Sequence, residues 1–147
     1  ALLAMAEHAD LVLYDLKLAD GGEHERYTGR HNREVLDNLR ALVERGVDLW
    51  IRTPLIPGVT ATADNVRDIG RIIVECAGDR VHRWELCAFN NLCEHKYTRL
   101  GLDWSLAGVP LLKRDQLDRL EEVARLSGVK PDRVHVTGAA RLEGRTR

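Results

Sequence analysis

An acid, two cations and an amide stand at positions where an α/β chain gathers its chemistry. Asp15 and Lys17 close the apolar run Leu11-Val12-Leu13-Tyr14, Arg52 lies within residues 48–56, and Asn90 with Asn91 follows Phe89. Asp15 and Lys17 are two residues apart, so an extended chain points both to one face. Arginine and lysine take a carboxylate or phosphate, and a carboxylate takes an ammonium or a cation. The set suits a small zwitterionic or anionic ligand. It also has a plainer use, in which Asp15 and Lys17 neutralise each other inside a barrel. Glu85 shares a face with Cys87 and Phe89. A carboxylate within a strand needs a partner, and Lys17 or Arg52 is the expected one.

Other chemistries find less support. Cys76, Cys87 and Cys93 are separated by gaps of 11 and 6 residues, which fit no zinc or iron–sulfur spacing. Cys76 falls on the apolar face of a helix and reads as packing, and Cys93 lies in a loop. The six histidines include no HExxH pair, and His24 and His95 read as solvated loop residues. There is no phosphate-binding glycine loop and no GxSxG elbow. No residue of this chain is assigned catalysis or a metal.

The elements that must position these residues alternate. Residues 11–14 form a short strand, 32–45 an amphipathic helix stopped by Gly46, and 48–56 a second strand ended by Pro57-Gly58. Thr62 reads as the cap of a helix carrying Val66, Ile69, Ile72 and Ile73 on one side. Residues 81–89 make a third strand, 90–112 a long loop, 115–126 a third helix and 134–136 a last strand. This is the order of parallel βαβ units. Asp15 and Arg52 are 37 residues apart, Arg52 and Asn90 38. About three and a half such units make part of a (β/α) barrel, too few to close one of eight strands. A doubly wound sheet would give the same alternation.

Composition narrows the class further. The 147 residues are 44% apolar and 31% charged, an ordinary globular mixture that fits one domain. A net charge of −1 gives no nucleic-acid signal. No apolar run reaches the roughly 18 residues that cross a bilayer. Three cysteines cannot all pair within one chain, so a reduced, cytoplasmic setting is expected. Position 1 is alanine and the one methionine, Met5, sits inside a helical stretch. The expectation is a portion of a longer protein that lacks its N-terminal part.

The ordered motifs resemble the glycyl-radical enzyme activating enzymes of the radical S-adenosylmethionine (SAM) superfamily, the pyruvate formate-lyase activating type. Those motifs are Leu11 to Lys17, then His24-Glu25-Arg26-Tyr27-Thr28-Gly29 and Asn32. Ile51-Arg52-Thr53-Pro54-Leu55-Ile56-Pro57-Gly58 and Phe89-Asn90-Asn91-Leu92 follow, with Lys96-Tyr97 and Leu100-Gly101. The resemblance runs from about residue 10 to 127 and covers only the C-terminal half of the family. It implies a partial (β/α) barrel, here 1–147 as the C-terminal portion of a single domain. It further implies SAM and a [4Fe–4S] cluster, whose Cys-x-x-x-Cys-x-x-Cys loop has no counterpart in this chain. In the family, one-electron reduction of SAM yields a radical that removes hydrogen from a glycine of a glycyl-radical enzyme. A flavodoxin or ferredoxin is the implied electron donor, and neither nucleic acid nor membrane is a partner. Asp15 matches the Asp-x-Lys acid, near SAM and a monovalent cation. Lys17 and Arg52 match cations that position SAM. Asn90 stands where the pyruvate formate-lyase activating members have a histidine, and Ala88 where they have a proline.

Three readings follow. The chain is the C-terminal half of such an activase, inactive alone. Or it comes from a radical SAM enzyme of the same fold with another substrate. Or it is a stand-alone α/β module that binds an anionic ligand without catalysis. A truncated barrel is also expected to self-associate.

Overall fold

Successive side chains of a strand point to opposite faces, so one face can be buried and the other left more open. Asp48–Leu55 shows this: Leu49, Ile51, Thr53 and Leu55 are buried, and Asp48, Trp50, Arg52 and Pro54 less so. The computed structural model describes residues 2–141. Within them four strands run parallel in chain order, β1 (Leu11–Asp15), β2 (Asp48–Leu55), β3 (Val81–Ala88) and β4 (Val134–Thr137). The helices are α1 (Leu2–Ala6), α2 (Gly21–Thr28), α3 (Arg33–Glu44), α4 (Ala63–Cys76), α5 (Glu94–Arg99) and α6 (Arg114–Arg125). This is the alternating α/β architecture expected, in about three and a half units. None of these helices is long and apolar enough to cross a membrane.

The core lies on one side of the sheet. Leu39 and Leu42 of α3, Val66, Ile69 and Ile73 of α4, and Leu117, Leu120 and Ala124 of α6 meet Ile51, Leu55, Trp84 and Leu86. Trp84 is fully buried, and its indole N–H donates to Thr53 Oγ1 at 3.0 Å. An unpaired indole there would cost about 1–3 kcal/mol, so the bond fixes Trp84 in the β2–β3 pairing. Tyr14 faces α3 and donates to Val35 O at 2.7 Å. The other side of the sheet carries Leu13, Asp15, Trp50, Arg52, Arg83, Glu85 and Cys87.

Local caps set the boundaries. Thr62 Oγ1 accepts from Asn65 N at 3.2 Å and opens α4, as expected. Two short helices were not expected. Asp20 caps α2 by accepting from Glu23 N at 2.8 Å. The 90–112 segment, expected as an uninterrupted loop, contains α5. His24 is a second correction: it is buried, with Nδ1 2.6 Å from Arg30 O.

Gly70 is the contact point of α4 with the end of α6. A Cβ there would lie 2.0 Å from Ser127 Oγ and 3.3 Å from Trp84. Gly70→Ala is expected to lower stability by about 1–3 kcal/mol through overpacking. That exceeds the gain of about 1 kcal/mol from alanine's helix propensity. Ser127→Gly in the same chain should restore most of the loss, and denaturant unfolding of the three variants measures it. Burial, and after it Glu34, pushes the Tyr14 phenol up to about 12. The raised value means its contribution to folding is whole below about 10 and is lost as pH climbs through about 12. In an absorbance titration, one of the three tyrosines should ionise late, and Tyr14→Phe should delete that step.

Candidate functional site

Parallel pairing places every strand's carboxyl end on one rim, which is where α/β proteins hold ligands. The register aligns Asp15 with Arg52, Arg52 with Glu85, and Glu85 with His135. Opposed residues point to one face. A row of acidic and basic side-chain types thus crosses the side of the sheet opposite the core, one residue from each strand.

Two of the four expected residues meet. Arg52 Nε and Nη2 both reach Asp15 Oδ1, at 3.0 and 2.9 Å. The side chains are 40% and 41% exposed, so the pair is open to a ligand. Lys17 lies two residues beyond β1 with its side chain exposed and, among the described residues, in no ion pair. It does not neutralise Asp15, whose partner is Arg52. Asn90 lies two residues beyond β3 on the same rim, exposed, and its Oδ1 accepts from Leu92 N at 3.1 Å. That amide is engaged in its own turn and, among the described residues, makes no hydrogen bond to the Arg52–Asp15 pair.

Glu85 corrects another expectation. Its partner is Arg83, at 2.9 Å on the same strand, and neither Lys17 nor Arg52. The Arg83 guanidinium also lies 5.2 Å from the centroid of the Trp50 ring, deeper along the same face. The pairing has a sequence signal, since residues two apart on a strand share a face.

The rim turns are tightly bound. After β2, Ile56 O accepts the N–H groups of Val59, Thr60 and Ala61, at 3.1, 3.0 and 3.0 Å. Thr60 Oγ1 accepts from Ile56 N at 2.7 Å and donates to Pro54 O. Gly58 allows the turn with φ of +74°. After β1, the buried side chains of Asn32 and Asn65 bind the backbone of residues 17–19. Neither asparagine was assigned a role from the sequence. Two cavities lie away from the charged row. One, of about 520 Å³, touches His95, Lys96, Arg99 and Leu100. The other, of about 400 Å³, lies at the starts of β1 and β2.

The site chemistry fits one expected group and not the other. An acid paired with an arginine, on the rim where the exposed Lys17 makes no ion pair among the described residues, suits the amino and carboxylate groups of a zwitterion such as SAM. A cluster is different. Cys76 is on α4, Cys87 on β3 and Cys93 in the loop beyond, and among the described residues no three His, Cys, Asp or Glu side chains could hold a metal ion. These residues do not fit an iron–sulfur cluster. Burial raises the Cys87 thiol above its ordinary value, and Thr137 partly offsets this. Near neutral pH Cys87 therefore stays protonated. Exposed Cys93 should be alkylated by iodoacetamide at least about tenfold faster, with Cys87 catching up only as pH rises. Peptide mass spectrometry reads both rates, and equal rates at pH 7 would contradict the burial argument.

No family profile matches the chain. Individual proteins do. It is 33% identical over 129 residues to pyruvate formate-lyase 2-activating enzyme of Escherichia coli K12, covering 88% of this chain and 43% of that protein. It is 32% identical over 116 residues to pyruvate formate-lyase-activating enzyme of Clostridium pasteurianum, covering 79% and 48%. Trans-4-hydroxy-L-proline dehydratase activating enzyme of Clostridioides difficile is 33% identical over 122 residues, with 83% and 39% covered. Among solved structures, a domain of pyruvate-formate lyase-activating enzyme from Bacteroides vulgatus superposes with a TM-score of 0.71 at 18% identity, over 93% of this chain and 73% of that one. A radical SAM methyltransferase from Sphaerobacter thermophilus gives 0.60 at 15% identity, over 97% and 38%. The two structures bear on the fold, and it is the fold of radical SAM enzyme domains. The sequence matches go further: the chain is a homologue of the glycyl-radical enzyme activating enzymes, and it spans less than half the length of the curated relatives it matches.

Proposed function

We propose that this chain is the C-terminal portion of a radical SAM activase that installs a glycyl radical on a partner enzyme. The observation that carries the reading is the Arg52–Asp15 pair on the rim of a parallel sheet, with the exposed Lys17 two residues beyond Asp15, in a homologue of activating enzymes. Bound SAM would supply the hydrogen-abstracting chemistry once reduced. The residues of this chain bind and orient it. Asp15 takes the ammonium or an adjacent monovalent cation, and Arg52 and Lys17 take carboxylate or ribose oxygens. Asn90 donates and accepts hydrogen bonds but cannot titrate, so it moves no proton.

The cluster ligands lie outside this chain in the complete protein. Its electron donor is of the flavodoxin or ferredoxin type, its partner is a glycyl-radical enzyme, and it works in the cytoplasm. The 147 residues alone are therefore inactive.

A second reading keeps the fold and changes the substrate. It is favoured by Asn90, which replaces a histidine and is tied to Leu92. Purified complete protein, with its cluster reconstituted, distinguishes these. The expected result is SAM cleavage and a glycyl radical signal by electron paramagnetic resonance on a glycyl-radical partner. Cleavage without that signal, across several partners, supports the second reading. Arg52→Ala and Asp15→Ala should each weaken SAM binding by about tenfold or more, the loss of one charge-assisted contact. Tight binding of an anion by the 147-residue chain alone, abolished by Arg52→Ala, would instead support a non-catalytic module.

A further inference from the structure

The segment that carries Lys17 has no ladder to bind it. β1 ends at Asp15, and Leu16 N makes the last sheet bond, to Arg52 O at 2.9 Å. Leu16 and Leu18 are nevertheless buried. Backbone polar groups in such a segment must find partners elsewhere. Two side-chain amides supply them. Asn65 Oδ1 accepts from Ala19 N at 2.9 Å, and its Nδ2 donates to Lys17 O at 3.0 Å. Asn32 Nδ2 donates to Leu18 O at 3.2 Å and to Ala19 O at 2.7 Å. The second hydrogen of Asn65 Nδ2 goes to Thr60 O at 3.0 Å, in the turn after β2. Both amides are more than nine-tenths buried.

The orientation of Asn65 follows from these partners. Exchanging its oxygen and nitrogen would set an NH2 against the Ala19 N–H and an oxygen against two carbonyls. All of its hydrogen-bonding capacity apart from one lone pair is in use. The link to Thr60 also joins the turn beyond Arg52 to the segment beyond Asp15. With the Leu16 N–Arg52 O bond, this link ties the backbone that bears Lys17 to the end of β2 and its turn.

We propose that Asn32 and Asn65 are positioning residues that hold Lys17 at the rim, Asn65 setting its place relative to Arg52. The inference rests on the reading of this rim as a SAM site. Neither asparagine touches the ligand; each acts through the backbone that bears the lysine. Asn65→Asp is the sharp substitution. It keeps the acceptor for Ala19 N–H and turns the NH2 that donates twice into one oxygen facing two carbonyls.

The test is equilibrium binding of SAM to the complete, cluster-reconstituted protein, with thermal unfolding measured alongside. Lys17→Ala and Asn65→Asp should each weaken SAM by about tenfold, and the double variant should be no weaker than Lys17→Ala within about twofold. Losses that multiply would place Asn65 on a path separate from Lys17 and overturn the inference while leaving the SAM site intact. Unchanged binding in Lys17→Ala overturns it too. No SAM binding by the unsubstituted protein overturns the inference and the functional reading together. If Asn65→Asp does not fold, the unsubstituted protein still decides by amide exchange. The Ala19 amide, outside any strand, should exchange at least about a hundredfold slower than an open loop amide. Exchange at the open-loop rate overturns the clamp.

Discussion

Register between β2 and its neighbours is the constraint from which the site follows. Arg52 is opposed to Asp15 on one side and to Glu85 on the other. Side chains alternate with a period of two, so a slip by one residue would turn Arg52 into the helix layer and Ile51 out of it. The buried set on β2 and β3 forbids that slip. Trp84, Leu86, Ile51 and Leu55 are essentially inaccessible to solvent. Burying each such side chain is worth about 1.5–3 kcal/mol. An ion pair as exposed as Arg52–Asp15 is worth about 0–1 kcal/mol. The core therefore sets the register, and the charged row is its consequence. The pair is presented by the sheet and does little to hold the sheet together.

The same ordering of magnitudes explains which features were legible in the sequence. Four strands and the three long helices announce themselves through apolar periodicity, because each buries a continuous stripe. The caps at Thr62 and Gly46 follow from local chemistry alone. The short helices α2 and α5 bury little, α5 nothing at all, so no apolar stripe marks them. His24 looked like a solvated loop residue because its environment is made by Thr28 and Arg30, which fold back onto it. The Asp15–Arg52 meeting was readable as a shared rim, but not as a contact, since opposition depends on the pairing register and not on either strand alone.

Glu85 and the two asparagines show two distinct limits. For Glu85 the partner was present in the sequence two positions away, and strand geometry was sufficient to name it. Arg83 stands on the same face of the same strand and is nearer than any cation at the rim. Asn32 and Asn65 are different. Their partners are backbone groups, which every residue possesses, so no residue type marks the other end of the contact. Asn32 reads as an ordinary helix-start residue, yet it makes no cap bond and spends its amide on residues 18 and 19.

A pre-formed pair has a consequence for the proposed ligand. Arg52 and Asp15 are held opposite one another by the sheet, so little side-chain order has to be created when a zwitterion arrives. Under the proposed reading an incoming ammonium would replace the guanidinium on Asp15, and an incoming carboxylate would replace Asp15 on the guanidinium. The ammonium and carboxylate would offset one another, and the sulfonium of SAM would add one positive charge at the rim. Opening the exposed pair costs about 0–1 kcal/mol, while each new charge-assisted bond contributes about 1.5–3 kcal/mol. A ligand bearing only one of the two charges would leave Asp15 or Arg52 without its partner. Selection for a group carrying both signs at short spacing would therefore be built into the pair itself, and exposed Lys17, in no ion pair among the described residues, would add a preference for the anionic end.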